Sequence, residues 1–195
     1  TVALKVIRPE LVNQQLRARF MREALAAAAV THPNVAVIYD VGESDGRVFI
    51  AMELAEGVCL RELMTREGMD VDDALKTAIG VARALVAAHE VLIVHRDLKP
   101  ENVMVGRTVK VLDFGVAKMV ESSDELPIGQ PDPLTAAGHL VGTPGYMSPE
   151  QIDGQPVDAR SDIFAFGAML YEMLCGAPAF EGRNTTDTIL TTMRS

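Results

Sequence analysis

Positive charge is scarce in this sequence. Its 195 residues hold 18 Lys and Arg against 27 Asp and Glu, a formal net charge of −9. A nucleic-acid partner would require clustered Lys and Arg, so the balance speaks against one. Cysteine is nearly absent as well. Cys59 and Cys175 stand far apart and match no metal-ligand spacing, which points to two reduced thiols in a cytoplasmic protein. No apolar run approaches the roughly 20 residues needed to span a bilayer, so neither a membrane segment nor a leader peptide is expected. The remaining composition, 48% apolar with mixed charge, suits a globular protein with one sizeable core.

The chain is organised around residues 91–105, VLIVHRDLKPENVMV. Two apolar runs bracket His95, Arg96, Asp97, Lys99, Glu101 and Asn102, a core too polar for a plain turn between strands. Pro100 rules out a helix through the middle. A polar loop held between buried strands is rigid, and rigid polar loops are where chemistry is usually placed. Asp97 offers a carboxylate, Lys99 a point charge, and Asn102 an amide oxygen suited to a metal.

Periodicity supplies the surroundings. Residues 1–7 read as a strand carrying Lys5, interrupted by Arg8-Pro9. Residues 13–30 read as a helix with Leu16, Phe20, Ala27 and Val30 on one face. Glu23 falls on that stripe, and an inward carboxylate needs a cation: Lys5 or, at the stripe's edge, Arg19 or Arg22. Residues 35–41 and 47–52 read as strands joined by a turn at 43–46. Residues 71–90 form a helix capped by Asp70, with Leu75, Ile79, Ala82 and Val86 as its apolar face. Residues 103–105 and 109–112 make a hairpin leading into Asp113-Phe114-Gly115. Residues 118–141 lose periodicity and read as a mobile loop. Residues 161–175 are apolar nearly all round, a central buried helix ended by Gly176 and Pro178. Asp162 has no place in such a helix unless it binds backbone donors. Residues 185–193 begin one more helix.

HRDLKPEN resembles the catalytic loop of eukaryotic-type Ser/Thr protein kinases. The family's other signatures follow in order: VALK at 2–5, DFG at 113–115, GTPGY at 142–146, and SPE at 148–150 where APE is usual. The resemblance covers essentially the whole chain and is strongest to bacterial membrane-associated Ser/Thr kinases. It implies an α+β, two-lobed fold, with residues 1–53 a partial β-rich lobe and 54–195 a mostly helical one. It implies transfer of the ATP γ-phosphoryl group to Ser or Thr of protein substrates, with ATP and Mg²⁺ (Mn²⁺ as alternative) as cofactors. Asp97 would accept the hydroxyl proton, Lys99 steady the γ-phosphate, and Asn102 and Asp113 hold the metal. Lys5, braced by Glu23, would align the phosphates. Met52 takes the gatekeeper position. Backbone groups of Glu53 and Ala55 would bind adenine between Ala3, Met104 and Leu112. Arg96 would grip a phosphate on Thr135, with Ser122 and Ser123 weaker candidates. Thr143 would join Lys99 at Asp97 in selecting the acceptor. Asp162 would brace the catalytic loop, and Glu150 would be structural.

The family's Gly-rich loop and the arginine that pairs with Glu150 are missing, so the chain reads as a fragment, inactive by itself. Val2, Val6, Val48 and Ile50 are then expected to expose apolar surface. Self-association for autophosphorylation is expected of the parent, as is an intracellular location, which the inner domain of a membrane-anchored kinase would share. Two rivals are a pseudokinase or nucleotide-binding scaffold, and a small-molecule phosphotransferase. Intact Lys5, Asp97, Asn102 and Asp113 oppose the first. Lys99 and GTPGYMSPE oppose the second.

Overall fold

The computed structural model describes residues 1–7, 14–114 and 143–194, without the side chains of residues 14–16. The expectations for Arg8-Pro9, Leu16, Gly115, Ser122, Ser123 and Thr135 therefore lie outside the described residues. Strand β1 (Ala3–Val6) pairs antiparallel with β3 (Arg47–Met52), which pairs antiparallel with β2 (Ile38–Ser44). Helix α1 (Gln14–Ala27) lies between β1 and β2 in the chain. Val48 and Ile50 alternate on β3 and are buried, at 2% and 1% exposure, in one core with Phe20, Ala24 and Ala27 of α1. This corrects the expectation that they lie bare: the period of a strand turns them to the face that α1 shares. Val2 and Val6 are exposed, as is Leu4. Ser44 pairs with Arg47, so the β2–β3 turn is only Asp45-Gly46, both at positive φ (50° and 73°). That geometry matches the twist of the strands it joins.

The second sheet holds β4 (Val58–Cys59), β5 (Val103–Val105) and β6 (Lys110–Val111), in that order. Short helix α2 (Leu60–Leu63) follows β4. Helix α3 (Val71–Glu90) is capped by Asp70, whose carboxylate accepts from the N–H groups of Asp72 and Asp73. Its buried face is not the expected one. Leu75, Ile79 and Val86 are exposed, while Ala74, Ala78, Val81, Ala84, Leu85 and Ala88 are buried. Small residues let a neighbour approach closely: a Cβ on Gly80 would come within 2.7 Å of the Val109 side chain. A larger side chain at Gly80 would hold the helix away.

Helices α4 (Pro149–Ile152), α5 (Ala159–Cys175) and α6 (Thr185–Met193) complete the described residues. Helix α5 packs on α3 through Ala165, Ala168, Met169 and Met173, yet Ile163, Tyr171 and Leu174 are exposed. It is therefore buried on one side, not all round. Gly176 ends it at φ 70°, where a Cβ would lie 2.3 Å from the Arg66 carbonyl oxygen. Only glycine fits there. The two sheets are tied where Val35 bridges Val111. Ala36 N–H donates to Val111 O (2.9 Å), Val111 N–H to Asn34 O (2.8 Å), and the Asn34 side chain to Val109 O (2.7 Å). Among the described residues no helix is long and apolar enough to cross a membrane.

Candidate active site

Asp162, on the first turn of α5, is 1% exposed and holds the loop before β5 from beneath. Its carboxylate accepts from the backbone N–H of His95 (2.8 Å) and of Arg96 (2.9 Å), and from His89 Nε2 (2.7 Å). A buried carboxylate tolerates that position because donors surround it. Arg96 is held at φ 67°, a conformation unfavourable for a side-chain-bearing residue and kept by these contacts. His95 completes the frame. Its Nδ1 accepts from Asp97 N–H (3.3 Å), so Nε2 carries the proton and donates to Leu112 O (2.8 Å). The Phe114 ring packs on the imidazole at 4.7 Å between centroids.

These contacts bring the catalytic candidates together. Lys99 Nζ lies 2.8 Å from Asp97 Oδ2. Asn102 Nδ2 donates to the Asp97 carbonyl oxygen (2.8 Å) and reaches Oδ2 at 3.3 Å. With its nitrogen so committed, Asn102 keeps its amide oxygen as a donor for a cation. Leu112 N–H donates to Asn102 O (2.9 Å), setting Asp113 next to that residue. Asn102 and Asp113 are two hard oxygen donors of the kind that hold Mg²⁺ jointly with phosphates and water. Among the described residues no cluster of three or more His, Cys, Asp or Glu could hold a metal without such help. The donor set fits Mg²⁺ bound together with a nucleotide.

The expected Lys5–Glu23 pair is not formed. Lys5 Nζ bonds Asp113 Oδ2 (2.9 Å), while Glu23 lies 3.5 Å from Arg96 Nη1 and 3.7 Å from Arg19 Nε. Two cations share Glu23, and Lys5 takes the carboxylate in reach of its strand. Arg96 Nε, buried, has no hydrogen-bond partner among the described residues. Thr143 also departs from expectation, since among the described residues no hydrogen bond joins it to Asp97 or Lys99; its carbonyl accepts from Tyr146 N–H (3.1 Å).

Ala3 pairs with Met52 across β1 and β3, and Met104 pairs with Cys59 across β5 and β4. Glu53 and Ala55 lie in the link between the two sheets. Met52, 9% exposed, walls a small apolar pocket shared with Ala27, Ile38, Ile50, Asp113 and Phe114. Glu53 N–H is committed to Val37 O (2.8 Å), so the backbone of Glu53 can meet a base only through its carbonyl oxygen. The Glu53 side chain accepts from Lys110 Nζ (2.8 Å) and Val37 N–H (3.2 Å). Burial works against its charge, but Lys110 and the Val37 N–H hold the carboxyl below its usual range. These contacts stabilise the fold above the ordinary carboxylate pKa and are lost as pH falls through the depressed one.

Glu150 is only half-buried and, among the described residues, finds partners without a paired arginine. Burial raises its pKa, yet bonding from the Ser161 hydroxyl, its own backbone and Ser148, with the charge of Arg160, keeps the carboxyl low. A second network escaped the sequence reading. Arg61 donates to Glu172 (2.7 Å), Glu101 (2.8 Å) and the Tyr146 hydroxyl, which itself donates to Glu172. Burial pushes the Tyr146 phenol up, as does its bond to Glu172, so it stays protonated. Burial would lower the Arg61 pKa, but its carboxylate partners raise it. Glu172 is a charge in an apolar helix, the same signal that singled out Asp162.

The chain matches the family described as "Protein kinase domain" over residues 1–195. It is 43% identical over 189 residues to serine/threonine-protein kinase pkn3 of Myxococcus xanthus, covering 92% of this chain and 34% of that protein. Serine/threonine-protein kinase PknB of Mycobacterium tuberculosis is 40% identical over 189 residues, covering 93% of this chain and 29% of PknB. The chain thus spans about a third of the length of these curated relatives. The crystal structure of a mutant form of the Mycobacterium tuberculosis PknI kinase domain superposes with a TM-score of 0.69 at 30% identity, covering 92% of this chain and 65% of that one.

Proposed function

Because this chain belongs to the protein kinase domain family, we propose that it transfers the γ-phosphoryl group of ATP to serine and threonine hydroxyls of proteins. The observation that carries this reading is the Asp97 carboxylate, held by Lys99 (2.8 Å) beside Asn102 and Asp113. Asp97 orients the acceptor hydroxyl and takes its proton as the oxygen attacks the γ-phosphorus and the bond to the β–γ bridging oxygen breaks, releasing ADP. Lys99 then turns from Asp97 to the transferred phosphoryl group, and Asn102 and Asp113 would hold Mg²⁺. Bound there, Mg²⁺ supplies neutralisation of charge on the phosphate oxygens. Adenine lies against Ala3 and Met104, with Glu53 O and the Ala55 backbone as its polar partners. The rest is positioning in a water-poor site. The free thiols of Cys59 and Cys175 fit a reducing cytoplasm. Self-association of the parent would allow autophosphorylation.

Acceptor choice is tested by incubating the intact protein with radiolabelled ATP and a mixed protein substrate, then hydrolysing the product. Phosphoserine and phosphothreonine should carry nearly all the label. Predominant phosphotyrosine would refute the assignment.

Catalysis also requires Lys5 to exchange Asp113 for the phosphates, with Glu23 leaving Arg96 and Arg19 to brace it. A phosphate on Thr135 is proposed to take over Arg96 and favour that exchange. The present Glu23 contacts, at 3.5 and 3.7 Å and partly exposed, are weak, within about 1 kcal/mol. Glu23→Gln should therefore leave the denaturation midpoint almost unchanged while lowering kcat/KM for ATP about tenfold or more. A variant with unaltered kinetics would mean that Glu23 serves only the pairs it makes here.

A further inference from the structure

Asp162 fixes the N–H groups of His95 and Arg96 but leaves the next peptide unit, the one that carries Asp97, to other partners. That unit has one carbonyl oxygen, on Arg96, and one N–H, on Asp97. Its plane sets the direction in which the Asp97 side chain leaves the loop. Arg96 precedes it at φ 67°, a conformation that persists only where the surroundings hold it. The N–H donates to His95 Nδ1 (3.3 Å), a long bond made within the loop. The carbonyl oxygen accepts from Gln151 Nε2 (2.7 Å), a shorter bond from a residue 55 positions away. Phosphoryl transfer makes no other use of Gln151.

Gln151 stands three residues after Ser148, the N-cap of α4, and reaches back to it. Its Oε1 accepts from Ser148 N–H (3.1 Å) and from the Ser148 hydroxyl (3.4 Å). A backbone donor on one side and a backbone acceptor on the other leave the amide a single orientation. The cap needs only an acceptor, and glutamate fills that place as well as glutamine. Ionised glutamate, though, would set a second oxygen against Arg96 O with no proton to give. What glutamine adds is the donor. We propose that Gln151 is a positioning residue for Asp97: its amide holds the Arg96–Asp97 peptide so that the carboxylate faces the acceptor hydroxyl. The inference rests on the reading of Asp97 as the group that takes the hydroxyl proton.

The test is Gln151→Glu in the intact protein, which keeps the acceptor for Ser148 and loses the donor for Arg96 O. Urea denaturation should give a midpoint close to that of wild type, because the cap persists. On a serine peptide kcat should fall about ten- to 100-fold while KM for ATP holds. Single-turnover transfer of radiolabel in the Asp97→Asn background then separates positioning from structure. With no base left to direct, adding Gln151→Glu there should change the rate by about twofold at most. An equal loss in both backgrounds, or a Gln151→Glu enzyme with the kcat of wild type, would overturn the proposal. Should Gln151→Glu melt too low to assay, Gln151→Met decides by the same comparison, since it removes both bonds and puts no charge against the carbonyl. A wild type that phosphorylates no acceptor, or that loses nothing on Asp97→Asn, would instead overturn the reading of Asp97 beneath it.

Discussion

Asp97→Asn should lower turnover about 100- to 10,000-fold with ATP affinity close to that of wild type. Asparagine matches the shape of aspartate and can still meet Asn102 and the loop, but it cannot accept a proton. It also removes the charge that Lys99 meets at 2.8 Å. No phosphate-binding role falls on Asp97, so nucleotide affinity measured by calorimetry with ATP and Mg²⁺ should hold. Asp113→Asn should behave differently. Asp113 is both the proposed metal donor and the present partner of Lys5 at 2.9 Å. Its loss should weaken Mg²⁺-dependent ATP binding along with turnover. An Asp97→Asn enzyme working at near wild-type rate would remove Asp97 from its role, whatever happened at Asp113.

Asp162→Ala should destabilise the protein by about 3–5 kcal/mol. Three donors converge on this carboxylate, and two of them are backbone N–H groups of the catalytic loop. At 1% exposure no water replaces them without opening the packing. Each orphaned donor forfeits about 1–3 kcal/mol, partly recovered as His89 relaxes. The loop would also lose what keeps Arg96 at positive φ, so activity should fall even under conditions where the variant stays folded. Urea denaturation of wild type and variant, with equal slopes, gives the number. A shift below about 1 kcal/mol would mean that the loop is held by other contacts, such as Gln151 on Arg96 O.

Asp162 was legible in the sequence because a carboxylate has no business in an apolar helix unless donors meet it. Glu172, ten positions along the same helix, carried the same signal, yet nothing local named Arg61 as its partner. The cap at Asp70 and the end of α5 at Gly176 were equally readable, since each depends on residues within a few positions; the turn expected at 43–46 tightens to Asp45-Gly46 because Glu43 and Ser44 stay in the β2–β3 ladder. The HRDLKPEN and DFG segments were readable for a related reason: their chemistry needs fixed residues at short spacing.

The face that α3 buries was not readable. Two apolar stripes run along that helix, and the buried one, in which Ala74, Ala78, Ala84 and Ala88 stand with Val81 and Leu85, is the one that lets Val109 come close to Gly80. Nor was the pairing of charges. Lys5 takes Asp113 in place of Glu23, and Arg61 joins Glu101 and Glu172 from distant parts of the chain. Alternative ion pairs differ by little energy at partly exposed sites and depend on shifts of a few ångströms. The sequence by itself determined which groups the proposed chemistry would use and in what order they stand, because those are matters of local covalent spacing. Which charge meets which, and so whether Lys5 is braced by Glu23, was decided only by tertiary packing, which sets distances that no local pattern encodes.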